Sequence, residues 1–296
     1  MTIAAVDIGS NSVRLLVRDG NGLELARCVE VTSLARGVDA SGRLAADRIA
    51  ATMLVLGDYR RIMDLHRVDD GAAVATSAVR DASNGLDLIA SAAGILGFAP
   101  QVISGDREAE LSFSGAAAGI EDETVVVDIG GGSTEVIVGS NGTSEWSHSY
   151  DIGSVRLTDR CIHDRPVSGE VMSEAIAEVR SVLSNPDVRN PGGDVIGVAG
   201  TFTSLAAIHL GLETYDRSAV DGTELTAHDL GGLVEHLSKM TLHQTESIPS
   251  LEPKRAPVIL GGAIIASETI AALGAGAVRI SERDLLDGIA DALDNA

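Results

Sequence analysis

The chain is predicted to be an α/β protein built twice over, with two lobes around a cleft, and three observations lead there. The first is a repeated pattern: apolar strand, Asp, Ile, Gly, small polar residues, second apolar strand. It occurs at Ala4-Ala5-Val6-Asp7-Ile8-Gly9-Ser10-Asn11-Ser12, followed by Val13-Arg14-Leu15-Leu16-Val17. It occurs again at Val125-Val126-Val127-Asp128-Ile129-Gly130-Gly131-Gly132-Ser133-Thr134-Glu135, followed by Val136-Ile137-Val138. Either copy alone reads as an ordinary tight hairpin, but two copies, each opening one half of the chain, mark an internal duplication. The second observation is that strand-like and helix-like apolar spacings alternate after each hairpin, the pattern of an α/β sheet whose ligand sites collect beyond the strand ends. The third is length: 296 residues suffice for two domains with full cores.

The hairpins carry the first chemical signal. Three consecutive valines read as a strand buried on both faces, and Asp128 stands where that strand runs out into solvent. Gly130, Gly131 and Gly132 let the backbone turn tightly and approach a ligand, with the Ser133 and Thr134 hydroxyls beside them. Gly9, Ser10, Asn11 and Ser12 are the equivalent stretch of the first copy. Because Thr134 to Val138 is again strand-like, the element is a phosphate-binding β-hairpin, not a loop that opens a helix.

Between the hairpins, Leu23 to Thr32 reads as a strand, Gly37 to Gly42 as a loop, Ala45 to Leu65 as a helix and Ala72 to Ala75 as a strand. Thr76-Ser77-Ala78-Val79-Arg80-Asp81-Ala82 leads from that strand toward a helix through Leu86, Ile89 and Ala93. Val102-Ile103-Ser104-Gly105-Asp106-Arg107-Glu108-Ala109-Glu110 is a short strand, a turn and a helix start, with Ser104 and Asp106 both candidates for the cap. The residues alone leave Glu108 and Glu110 two readings, favourable first-turn charges or site carboxylates. The position of this helix, at the end of the first half and followed by the small residues 114–119, suits a hinge between lobes.

In the second half, Ser168 is the expected cap of a helix through Val171, Ile176, Val179 and Leu183. Val195 to Thr201 is expected as a strand ending in a glycine turn before a helix from Ser204 to Leu210. That turn reads either as a phosphate signal or as close packing of helix on strand. Leu225 to Met240 is amphipathic, Val258 to Gly262 reads as strand into turn into helix, and Ser281 and Asp284 form a capping-box-like start to the last helix.

Composition narrows the partners. With 22 Lys and Arg against 43 Asp and Glu, the net charge is −21. So acidic a chain repels polyanions at long range, so no nucleic-acid binding through a basic surface is expected, and a phosphate ligand must be held at short range. Cys28 and Cys161 form neither a disulfide framework nor a metal set, which points to reduced thiols in the cytoplasm. The first strand begins at once, so no leader segment is expected, and Ser267, Glu268 and Thr269 interrupt the apolar stretch Val258 to Val278, so it is not read as a membrane span. None of the seven histidines lies in a zinc-like pair.

These stretches resemble the exopolyphosphatase and guanosine pentaphosphate phosphatase (Ppx/GppA) family of the actin, sugar-kinase and Hsp70 superfamily. The resemblance rests on Ala5 to Val17, Ala75 to Ala82, Ile103 to Ala109, Val126 to Glu135 and Gly197 to Thr201, in family order over about the first 205 residues. It implies a duplicated actin-like fold. The expected lobes are residues 1–117, completed by a C-terminal helix over 281–296, and residues 118–280. It implies that Glu108 is the general base that activates water, that Asp128, Glu135 and Asp7 hold Mg²⁺, and that Gly9, Ser10, Asn11, Ser12, Gly130, Gly131, Gly132, Ser133, Thr134 and Arg80 grip phosphates. The implied activity is release of orthophosphate from the end of short inorganic polyphosphate, with pppGpp as the alternative substrate and a polyphosphate-binding regulator without turnover as a further one. A homodimer is also implied. Two departures stand out: Arg107 occupies the place of the first Glu of the family's S-G-x-E-E-A motif, and Arg283 to Gly288 keeps only the outline of a G-L-R-E-G-like segment. The chain also stops where longer family members continue, so it reads as a short, two-domain form.

Overall fold

A computed structural model describes residues 1–183 and 194–294. Its first half runs β1 (Ile3–Ile8), β2 (Ser12–Arg18), β3 (Glu24–Val31), α1 (Val38–Ser41), α2 (Ala46–Leu65), β4 (Asp70–Ala75), α3 (Ser77–Asp81), α4 (Gly85–Leu96), β5 (Gln101–Val102) and α5 (Gly105–Ala116). The second half runs β6 (Thr124–Ile129), β7 (Thr134–Ser140), β8 (Thr143–Tyr150), α6 (Ser154–Cys161), α7 (Gly169–Val182), β9 (Asp194–Val198), α8 (Ala199–His209), α9 (Arg217–Val220), β10 (Glu224–Thr226), α10 (Ala227–Ser238), α11 (Leu242–Glu246), α12 (Ile259–Ala272), β11 (Ala277–Ile280) and α13 (Leu285–Asp294).

The strands form two mixed sheets of one plan. The first has the order β3-β2-β1-β4-β5 and the second, read in the matching direction, β8-β7-β6-β9-β11-β10. Each begins as an antiparallel three-strand meander and continues through parallel strands beside its first strand, and the second sheet ends in β10, antiparallel to β11. The expected duplicated α/β class is therefore what the chain adopts. Even the registers agree: Ile8 pairs with Val13 and Asp7 with Arg14, while Ile129 pairs with Thr134 and Asp128 with Glu135. The two turns thus each hold four residues, Gly9 to Ser12 and Gly130 to Ser133.

Burial on both faces explains the apolar runs. On one face of the first sheet Ala4, Val6, Ile8, Val13 and Leu15 pack against Leu56, Tyr59 and Met63 of α2 and Leu88 and Leu96 of α4. On the other, Ile3, Ala5 and Leu16 meet Leu111 of α5 and Leu285, Leu286 and Ile289 of α13. Helix α5 also covers the second sheet, where Ala109 and Phe113 pack on Val126, Ile137 and Ile196. One helix is therefore wedged against both sheets. It is capped by Ser104, whose hydroxyl accepts from the Arg107 amide, which decides between the two candidate caps. Ser168 caps α7 as expected.

Four sequence expectations change. The Gly37 to Gly42 loop contains the single turn α1, bounded by Gly37 and Gly42 with left-handed φ of 78° and 64°. The amphipathic stretch from Leu225 opens with β10 before α10 begins at a Thr226–Asp229 capping box. No glycine turn follows β9: α8 starts directly at Ala199, whose φ is 65°. Val258 to Gly262 is not a strand and turn, because α12 begins at Ile259, directly after its cap Val258. A Cβ on Gly261 would lie 2.7 Å from the Thr158 hydroxyl, and one on Gly262 2.7 Å from the Thr201 methyl, so these glycines permit close helix packing. Helix α12 is almost wholly buried, and no helix among the described residues is long and apolar enough to cross a membrane. Of the expected C-terminal helix, residues 295 and 296 lie outside the described residues.

The α5–α13 crossing is as tight. A Cβ on Gly115 would fall 2.0 Å from the Asp284 carbonyl, and one on Gly288 2.0 Å from the Leu111 carbonyl, both rigid backbone atoms. Gly288→Ala is therefore expected to lower stability by about 2 kcal/mol through overpacking, read as a lower denaturation midpoint at unchanged slope. A midpoint equal to that of the parent would show that the crossing has slack.

Candidate active site

The two glycine turns meet. A Cβ on Gly131 would stand 2.9 Å from the Asn11 amide nitrogen and 3.0 Å from the Ser10 Cβ, and one on Gly132 2.6 Å from the Ser77 hydroxyl and 3.0 Å from that of Ser10. The turns, drawn from opposite halves, therefore touch, and only glycine fits at the contact. Each turn is closed by the same hydrogen bond, Gly9 N–H to the Ser12 carbonyl and Gly130 N–H to the Ser133 carbonyl, both 3.0 Å.

Four of the six remaining turn carbonyls are pinned from behind. Those of Ser10 and Asn11 accept from Ala35, Thr32 and Ser33, and those of Gly130 and Gly131 from Ser154, Val155 and Arg156 at the start of α6. The amides of Ser10, Asn11, Gly131 and Gly132 donate to no backbone carbonyl among the described residues. Two turns with these carbonyls drawn back and these amides free have the form that suits an anion.

Beside the contact lies a cavity of about 70 Å³, lined by Asp7, Gly9, Ser10, Asn11, Ser12, Glu108, Asp128, Gly130, Gly131 and Ser133 of the expected set. At some 10–15 Å³ per water on this measure, it has room for a phosphoryl group and a few waters. Glu108 reaches it from the first turn of α5. Four expected residues are not among its lining. Gly132 lines the opposite side of the turn contact. The Thr134 hydroxyl donates to the Ile152 carbonyl at 2.6 Å. Glu135 is buried behind Asp128 and accepts from the Ser149 hydroxyl at 2.7 Å. Arg80 donates to the Ile103 carbonyl at 2.9 Å and lies 3.4 Å from the Glu108 carboxylate, so it flanks the cavity through Glu108.

The electrostatics are dominated by buried carboxyls. Burial pushes Glu108 well above its usual range, with Glu135, Asp128 and Asp7 adding to the rise and Arg80 opposing it. Burial likewise raises Asp128 to about 6, against the pull of Arg14 and the Ser112 hydroxyl, and Glu135 to about 7, reinforced by Asp128. Asp7 is raised by burial although Arg14 draws it down. Nε and Nη2 of Arg14 both approach one oxygen of Asp7, Oδ2, at 2.8 Å, and Nη1 bonds Asp284. The other oxygen, Asp7 Oδ1, is buried and has no hydrogen-bond partner.

Sequence reasoning gave no role to Arg14, Thr76, Ser77, Ser154, Thr201 or Arg255, all on the cavity wall. Ser77 shares a 2.7 Å hydrogen bond with Ser10, and its neighbour Ala78 donates to the same Ser10 hydroxyl. The A-T-S-A motif was the signal that could have found Thr76 and Ser77. Arg255 has no counterpart signal. It approaches from the far side, where a Cβ on Gly200 would collide with its guanidinium at 1.8 Å, and one of its nitrogens lies 3.4 Å from the Ser12 hydroxyl. Gly200 thus leaves room for the Arg255 guanidinium, while the close packing of helix on strand falls at Gly197, where a Cβ would lie 2.7 Å from the Phe202 ring of α8. Arg255 also borders a larger neighbouring cavity of about 550 Å³, with Arg27, Arg217, Tyr215, Val29 and Leu251 in its wall.

Comparison with known proteins agrees with this geometry. Residues 17–294 match the Ppx/GppA phosphatase family. Exopolyphosphatase 2 of Mycobacterium tuberculosis is 39% identical over 311 residues, covering 97% of each chain. A solved exopolyphosphatase-like protein superposes with a TM-score of 0.93 at 31% identity, over 100% of this chain and 99% of the other. The Aquifex aeolicus member of the Ppx/GppA family superposes at 0.81 with 30% identity, over 100% and 98%. With a family match over residues 17–294, the same overall architecture and similarity along nearly its whole length, the chain belongs to the Ppx/GppA phosphatase family.

Proposed function

We propose that this protein is a divalent-cation-dependent exopolyphosphatase that releases orthophosphate from the end of short inorganic polyphosphate. The observation that carries the reading is the contact of the two glycine turns with Glu108 in the cavity beside them. The relative named exopolyphosphatase supports the choice of substrate. Two facing amide nests suit successive phosphoryl units of one anion, and an acidic surface makes such short-range donors necessary.

Hydrolysis of a phosphoanhydride needs charge neutralisation on the transferred group and a water in line with the leaving oxygen. In this reading the free turn amides, the Ser10, Ser12 and Ser133 hydroxyls and Arg255 hold the phosphates, and Glu108 accepts the proton of the attacking water. Arg80 holds Glu108 by one oxygen and leaves the other for water. Asp7 and Asp128 offer hard oxygen donors, and the unbonded Asp7 Oδ1 is the atom a cation would satisfy. Mg²⁺ takes one or two carboxylates together with phosphate oxygens and waters, so the pair suffices. Among the described residues no three acidic, His or Cys side chains converge closely enough to enclose an ion. We therefore place Glu135 behind Asp128 as its support. A bound cation would supply positive charge to the phosphoryl oxygens and favour the ionised form of the surrounding carboxyls. The two halves would act as lobes closing on the substrate, and a cytoplasmic homodimer stays part of this reading.

A second substrate, pppGpp, is favoured by the neighbouring 550 Å³ cavity, which offers Tyr215, arginines and apolar walls within reach of the phosphate site through Arg255. Phosphate release by the purified protein from polyphosphates of several lengths and from pppGpp should give the higher kcat/KM for short polyphosphate; preference for pppGpp would reverse the assignment.

Glu108→Gln should cut phosphate release by about 10²–10⁴-fold while thermal unfolding shows the protein folded. Retention of full activity would remove Glu108 as the base.

The raised carboxyls also set a pH dependence. Because folded Glu135 keeps its proton to about pH 7 and the unfolded chain releases it near 4.5, the folded state binds more protons between those values, so stability falls as pH rises. Each pH unit in that window costs about 1.4 kcal/mol for the group. With chelator present, Glu135→Gln should match the parent near pH 5 and exceed it in Tm near pH 8. A parallel pH profile for the two proteins would disprove the buried-charge account.

A further inference from the structure

The C-terminal helix delivers a carboxylate to the edge of the active site that the mechanism above does not use. Asp284 is buried and stands at the N-terminus of α13. Its Oδ1 accepts from the Leu286 amide at 2.9 Å, and its own amide donates to the Asp287 carboxylate at 3.2 Å, so it caps the helix. Its other oxygen, Oδ2, binds Nη1 of Arg14. Arg14 therefore lies between two carboxylates from opposite ends of the sequence.

How Arg14 is shared matters for Asp7. A guanidinium facing a lone carboxylate prefers a fork in which two nitrogens bond two oxygens. Here both nitrogens bond Asp7 Oδ2, while the third nitrogen is held by Asp284, and Asp7 Oδ1 stays buried without a partner. Removing the pull of Asp284 would free Arg14 to rotate and take both oxygens of Asp7. The oxygen that our functional reading gives to the cation would then be occupied by an arginine nitrogen.

We propose that Asp284 is a positioning residue which, by restraining Arg14, keeps Asp7 Oδ1 free to bind a divalent cation. The proposal rests on the reading of Asp7 as a cation ligand. Rows of partners hold the geometry: Arg18 bonds Asp291 and Asp294, and Arg27 bonds Asp287, so α13 is fastened to β2 and β3 along its length. Asp284 is the member of this series whose arginine also lines the catalytic cavity.

The test is a cycle of variants with Mn²⁺ as the probe, its binding followed by electron paramagnetic resonance with and without inorganic phosphate and with no substrate turnover. Asp284→Asn keeps the volume and the capping oxygen but loses the charge, and Asp284→Ser keeps a capping hydroxyl; unfolding in chelator identifies whichever variant is folded. Asp284→Asn or Asp284→Ser is expected to weaken Mn²⁺ binding about tenfold, the scale of groups that orient metal ligands. In an Arg14→Gln background, where nothing can invade Asp7, the same change should shift binding less than twofold, because the two sites act through one another. Equal shifts in both backgrounds, or none in either, would overturn the positioning role. Asp7→Asn separates the premise: if it leaves Mn²⁺ affinity unchanged, or if the parent binds no Mn²⁺ in either condition, the cation reading fails and the proposal falls with it. If only Asp7→Asn weakens binding, the proposal alone is wrong.

Discussion

The architecture depends on a contact between two backbone turns. Gly131 and Gly132 lie against Ser10, Asn11 and Ser77 at distances that no Cβ tolerates, and Gly153 backs the second turn just as closely, where a Cβ would sit 2.5 Å from the Gly131 carbonyl. In the proposed reading, close approach of peptide planes would turn two ordinary hairpins into one anion site, because it brings free amides from both to one small cavity. The surrounding structure serves this contact. The segment 32–35 holds back the carbonyls of the first turn, the start of α6 those of the second, and the two sheets present both turns at strand ends.

The second constraint is electrostatic. Glu108, Asp128, Glu135 and Asp7 gather in low dielectric, each held above its ordinary range by burial. Such a cluster opposes folding at neutral pH, and structure is retained around it only because apolar packing elsewhere outweighs the cost. Helix α5 illustrates the compensation: its first turn carries Glu108 into the cluster while Leu111 and Phe113 lock it against the first and second sheets.

Much of this was legible in the sequence. The duplication, both hairpins and the helix bearing Glu108 could be read because each has a local cause: a repeated pattern, a glycine run, a turn followed by helical spacing. What escaped has non-local causes. Gly261 and Gly262 looked like a turn because glycine in sequence does not say whether the chain bends or a neighbour approaches, and here Thr158 and Thr201 approach. Arg14 looked like one more strand residue, and Arg255 carried no signal, because Asp284 and Ser12, which they reach, lie hundreds of positions away. Thr134 shows the converse error. A hydroxyl beside a glycine run suits phosphate, yet its place as the first residue of β7 turns it toward the Ile152 carbonyl.

The matched registers of the hairpins carry one deliberate mismatch. At the position opposite the strand-end aspartate, the first hairpin has Arg14 and the second Glu135. A linear chain of identical phosphoryl units has interchangeable ends, and a perfectly symmetric cradle would accept it in either sense. On our proposed reading of the cleft, a guanidinium in one hairpin and a buried carboxyl at the equivalent position of the other would make the two directions of threading unequal in energy, so the duplication would retain its geometry while acquiring an arrow.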